Sequence, residues 1–121
     1  MLRDLHANGA WVVVISNGVA GVWALAANWI EALRGRALWG FTVFAQLTIF
    51  VQVILGVATM TADDIEVEQF HMFYGFIALV GVGLLYSYRH QLADHRYLLY
   101  GGGGLFLMGL AIRAMTIEPV I

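Results

Sequence analysis

Four uninterrupted apolar stretches constrain what this sequence can fold into. They cover residues 9–30, 37–60, 69–88 and 97–117. Each is long enough to cross a hydrocarbon core of about 30 Å, which takes roughly 20 apolar residues in a helix. The first two contain no charge, the third has His71 and no charged residue, and the fourth has only Arg113, in its last turn. The breaks at 31–36, 61–68 and 89–96 are short and hold most of the charge. Such tight hairpins force neighbouring helices to run antiparallel, and an even number of crossings leaves both chain ends on one side. The expected fold is all-α: a transmembrane up-down four-helix bundle forming a single domain over residues 1–121.

Composition excludes several function classes. Apolar residues make up 61% of the chain and charged residues 12%, against about 45–50% and 25% in soluble domains. A small water-soluble enzyme and a disordered tail are both incompatible with that balance. The six basic residues are scattered and the net charge is −2, so there is no footprint for nucleic acid. Cysteine is absent, which removes disulfides, thiolate metal sites and cysteine catalysis.

Loop charge sets the expected orientation. Arg34, Arg36, Arg89 and Arg96 lie in the first and third loops, whereas the middle loop carries Asp63, Asp64, Glu66 and Glu68 and no basic residue. The positive-inside rule then places loops one and three in the cytoplasm of a bacterial inner membrane, with both termini outside. Trp29 and Trp39 mark the inner interface and Trp11 the outer one, and Arg113 snorkels outward. Ala24-Leu25-Ala26 imitates a signal-peptide cleavage site. The first apolar stretch is too long for such a signal and its flank too weakly basic, so it reads as a retained helix.

Helix association in lipid relies on close packing and interhelical hydrogen bonds. Small residues recur at helical spacing: Asn17, Gly18 and Gly21; then Ala45, Thr48, Gln52, Gly56 and Thr59; then Gly75 and Gly83; then Gly101-Gly102-Gly103-Gly104 and Gly109. The glycine run makes sense where another backbone, or a flat ring, approaches closely. Asn17, Asn28, Gln46 and Gln52 need partners in hydrocarbon; a quinone-head contact by Gln52 is the functional alternative to interhelical bonding.

Of the four histidines, His90 and His95 flank Gln-Leu-Ala-Asp in a loop, where a solvated role is the default. His6, before the first span, and His71, two residues into the third, are the candidate site residues. Their helices run parallel and face each other across the bundle, so both imidazoles fall at one depth on one side. Such a pair can hold a haem iron from both faces. Gly9 and Gly75 follow the two histidines by three and four residues, on the same helical face, where they would make room for a porphyrin. Arg3 and Arg113 are placed to pair with its propionates. The alternative is two interfacial histidines bonded to carbonyls or water.

The stretch Leu5-His6, then Ala45-Gln46 and Gln52-Val53-Ile54-Leu55-Gly56-Val57-Ala58-Thr59, then an outer loop, then Phe70-His71 resembles one half of the haem A synthase family over roughly residues 5–88. That family has eight helices in two similar halves, each with a histidine pair at the outer ends of alternate helices. On the matching positions the resemblance implies haem ligation by His6 and His71. The chain has half the family's length and no cysteine pair ahead of the first ligand, so oxidation of a haem side chain is not implied. Two copies related by a twofold axis would rebuild an eight-helix body.

Three functions follow as expectations. The first is a non-catalytic accessory or assembly subunit of a membrane electron-transfer complex, such as a respiratory supercomplex, contacting larger subunits and lipid. Its acidic outer loop would meet a basic partner. The second is a small b-type cytochrome holding one bis-histidine haem b through His6 and His71. The third is an enzyme acting on haem or a related lipid-soluble substrate, with Asp4, Asp63, Asp64, Glu66 or Glu68 as acid or base.

Overall fold

A computed structural model describes residues 2–63 and 69–116. Four helices account for nearly all of them: α1 (Leu2–Ala27), α2 (Arg36–Asp63), α3 (Gln69–Ser87) and α4 (Arg96–Thr116). Single 3₁₀ turns at Glu31–Leu33 and Ala93–His95 precede α2 and α4. All four helices are long and apolar enough to cross a membrane. Their outward surfaces carry large apolar chains such as Trp11, Ile54 and Phe106, as a lipid-facing surface requires. The molecule is a multi-pass membrane four-helix bundle with up-down connections.

Several helix boundaries differ from those expected. α1 begins at Leu2, so His6 lies inside the first helix and not ahead of it; Asp4 in the first turn complements the helix dipole. The same helix ends at Ala27, three residues short of the expected Ile30. The Arg34 side chain stops it there, donating from Nε to the Ala27 carbonyl at 2.7 Å and from Nη2 to the Asn28 carbonyl at 3.0 Å. Gly35, with φ of 148°, then turns the chain into α2, a backbone region open mainly to glycine. At its far end α2 runs on to Asp63, taking Thr61, Ala62 and Asp63 out of the expected acidic loop. Positions 64–68, with Asp64, Glu66 and Glu68, lie outside the described residues, as do the Arg3 and Asp63 side chains.

α1 is the central element. It packs along both α2 and α4, and α4 packs along α3, whereas α2 and α3 barely meet. The glycine run explains the α1–α4 contact. A Cβ on Gly104 would lie 2.8 Å from the Gly21 Cα and 3.0 Å from the Asn17 carbonyl oxygen, and one on Gly101 would lie 2.8 Å from the Leu25 Cα. The approaching group is another backbone and not a flat ring. Gly103 faces Leu85 of α3 and Gly102 faces outward, so the run serves two neighbours.

Polar side chains tie the helices as lipid demands. Asn17 is buried and donates from Nδ2 to the carbonyls of Val13 at 2.9 Å and Ala45, on α2, at 3.1 Å. Ser16 meets the Thr48 hydroxyl across the same seam at 3.4 Å. Among the described residues no buried side-chain polar atom lacks a partner.

The two ends of the bundle differ. At one end Ala24, Ala27 and Leu38 are fully buried beneath Trp23, Trp39, Tyr97 and Tyr100. The Trp39 ring lies 5.5 Å from Tyr97 and 5.2 Å from Tyr100. The guanidinium of Arg34 stands 4.7 Å from the Tyr97 ring, and that of Arg96 lies over Trp39 and Tyr97. These rings and guanidiniums cover this arginine end of the α1, α2 and α4 contacts. At the other end the α1 and α3 starts meet the α2 and α4 ends around a cavity.

Candidate functional site

The cavity has a volume of about 270 Å³ and is lined by all four helices. Its floor is the core layer of Val13, Ile49, Ala78 and Leu107. Above that layer the walls carry small residues, among them Gly56, Gly75, Ala111 and Ala114. Nearly all the lining is apolar; its strongest ligating groups are His6 and His71.

The structure brings these two histidines together. Their ring centroids are 6.0 Å apart and the ring planes are inclined at 73°. Each ring is held from behind by a different helix. His6 Nδ1 lies 3.1 Å from the carbonyl oxygen of Gln52 on α2, and His71 Nδ1 lies 2.7 Å from the carbonyl oxygen of Ala114 on α4. A carbonyl only accepts, so in both contacts Nδ1 carries the proton. With Nδ1 donating, Nε2 is the ring atom through which a neutral imidazole would bind a metal.

The supports for the two rings are of different origin. His6 is clasped from two directions, because the Gln52 side chain also donates from Nε2 to the His6 backbone carbonyl. The ring lies flush on α2 because Gly56 has no side chain; a Cβ there would lie 3.0 Å from His6 Cε1. His71 instead uses a carbonyl in the last turn of α4, among the last four that a helix leaves without an intrahelical donor.

The placement of the other expected residues is mixed. Gly75 lines the cavity beside His71 and faces open space. Gly9 makes no room for a ring: a Cβ there would strike the Gln52 carboxamide, so Gly9 serves the interhelical clasp. Gln52 is the interhelical bonding residue expected of it. Arg113 does not line the cavity; it is exposed, with its guanidinium 6.0 Å from the ring of Tyr74, which does. His90 and His95 are exposed at the arginine end. Among the described residues no group of three or more His, Cys, Asp or Glu side chains could hold a metal ion. Gly56 belongs to the small-residue stripe of α2; its four-residue spacing from Gln52 was the available sign that the two form one histidine seat.

The residues fit an axially held metal macrocycle better than a bare ion. Two histidines whose ring centroids are 6.0 Å apart are close enough to ligate one metal. Two ligands and an apolar surround leave a bare divalent ion short of the four it normally takes, whereas a porphyrin supplies its own equatorial nitrogens. No protein family, curated protein or solved structure matches this chain. The site's chemistry therefore rests on its residues.

Proposed function

We propose that this protein is a small membrane b-type cytochrome in which His6 and His71 would together hold one haem b. The observation that carries this reading is the facing histidine pair, 6.0 Å between ring centroids and each ring oriented by a backbone carbonyl through Nδ1. Outer-sphere bonds of this kind fix the tautomer and aim Nε2 at the metal. The iron would supply one-electron chemistry. The chain's own residues hold the rings, flatten the walls with glycine and alanine, and exclude water.

By the distribution of loop arginines, the histidine end is the outer end and the arginine end is cytoplasmic in a bacterial plasma membrane. The exposed guanidinium of Arg113 would then reach propionates at the outer rim. A bundle with one haem and no extended soluble domain in the described residues suits an accessory part of a larger electron-transfer assembly, passing electrons between its partners. The resemblance to half of a haem A synthase agrees with the ligand pair.

The test is a reduced-minus-oxidised spectrum of the detergent-purified protein. The wild type should show low-spin b-type bands, and His6→Ala and His71→Ala should each abolish them while remaining folded. Ring planes near perpendicular keep two iron d orbitals close in energy, so the ferric protein should give a strongly anisotropic low-spin electron paramagnetic resonance signal. A wild type without haem, or bands unchanged in both alanine variants, overturns the reading.

A further inference from the structure

The cavity has a direction as well as a content. Of its lining residues only Val57, Met72 and Phe76 are exposed, at 57%, 49% and 63%. All three lie on α2 or α3, the two helices that barely meet. Every lining residue contributed by α1 and α4 is buried or half-buried. So are Thr59 and Met60 near the end of α2, whereas Met72 stands three residues from the start of α3. The opening therefore faces sideways between α2 and α3 and reaches up toward the α3 start.

Its depth follows from helix geometry. Val57 lies six residues before the end of α2 and Phe76 seven residues after the start of α3. At 1.5 Å per residue these positions are about 9–10 Å below the helix ends. The third, Met72, lies about 4–5 Å below the α3 start. All three are apolar and fall within the candidate membrane spans, so the mouth faces lipid along most of its height.

We propose that the histidine site is loaded from the bilayer, by a haem that slides edge-first between α2 and α3. This rests on the haem reading above. A haem dissolved in a membrane already has its apolar ring in the acyl region and its propionates at the surface, the split that amphipathic groups adopt at this boundary. Lateral entry keeps that orientation throughout, and neither the close α1–α4 seam nor the α1–α2 seam has to open. The cavity of about 270 Å³ is below the roughly 300–1,000 Å³ of sites that enclose a drug-sized ligand, so it would enclose only part of a macrocycle and the rest would stand in the mouth. Ligation would be an exchange without electron transfer, His6 and His71 taking the positions that solvent gives up.

The sequence has no cysteine, so Val57→Cys with Phe76→Cys introduces a single pair across the mouth. Apoprotein carrying this pair is reconstituted into phospholipid vesicles, bridged with a short cleavable bis-maleimide, and offered haemin dissolved in the same vesicles. Growth of the low-spin Soret band reports uptake. Bridging should abolish uptake, cleaving the bridge should restore it, and bridging after loading should leave the spectrum intact. As a second arm, Phe76→Ala widens the mouth and should speed uptake. Equal uptake by bridged and unbridged apoprotein, or an unchanged rate in Phe76→Ala, overturns lateral loading. Failure of the unbridged protein to take up haemin at all overturns the site itself, and the two failures are thereby distinguished.

Discussion

The arginine end and the histidine end of this bundle use the same residue type for opposite purposes. Toward the arginine end glycine admits a neighbour: Gly101 and Gly104 let the backbone of α1 come within van der Waals distance of α4. Beside His71 glycine keeps space clear: nothing from another element lies within 4 Å of the position a Gly75 Cβ would take. The difference comes from what stands opposite. Gly104 faces Gly21, small against small. At the other end two imidazoles are drawn apart, one toward α2 and one toward α4, and α2 and α3 do not close over the gap. In lipid, where contact between apolar faces alone adds little to helix association, a small-residue stripe reports close packing only when its partner is equally small.

The comparison predicts that mutations at the two ends fail differently. Gly104→Leu should have the largest effect. Its side chain would meet the Gly21 Cα and nitrogen and the Asn17 carbonyl, all backbone, so α1 and α4 must separate. Overpacking of this kind costs about 1–3 kcal/mol or more. The variant should melt at markedly lower temperature in detergent, with haem lost as a consequence. A wild-type melting curve would break the distinction between the ends.

Gly56→Leu should show the converse pattern. Leucine has the better helix propensity, and Gly56 is packed against a side chain, the His6 ring, and not against backbone. The fold should survive while the ring is pushed off its seat and loses the bond to the Gln52 carbonyl. Loss of such an outer-sphere partner lowers metal affinity by roughly 10–100-fold. Haem titration beside a melting curve separates the two effects; equal loss of both would make the histidine end a structural element like the other.

The architecture was legible in the sequence because membrane solvation writes it in long apolar runs and charged breaks. Four helices, antiparallel connections and the pairing of His6 with His71 all follow from segment count and position. The boundaries were less legible. α1 ends early because Arg34, from beyond the turn, bonds the carbonyls of Ala27 and Asn28, and a capping contact seven residues along the chain leaves no periodic mark. The seats of the histidines were hidden for a related reason. Both acceptors are backbone carbonyls, at Gln52 and Ala114, and a carbonyl is present at every residue. Only the absence of a side chain at Gly56 singles one of them out. Gly9 packs against Gln52 and does not make room for a ring, because helical spacing identifies the face on which a residue lies but not the neighbour it meets.

The smallest predicted effect belongs to that early helix end. Arg34→Gln removes a cation from the C-terminal end of α1 and two donors from the carbonyls there, along with the guanidinium over Tyr97. Arg34 is exposed, so water replaces part of what is lost, and charge–dipole and hydrogen-bond terms in such positions amount to about 1 kcal/mol. The melting temperature should fall slightly and the haem spectrum should not change, because the aromatic layer of Trp39, Tyr97 and Tyr100 and the α1–α4 seam stand between this cap and the cavity. If Arg34→Gln shifted the Soret band or the reduction potential as much as Gly56→Leu does, the two ends would be coupled through α1. The arginine end would then be helping to set the spacing of the histidines.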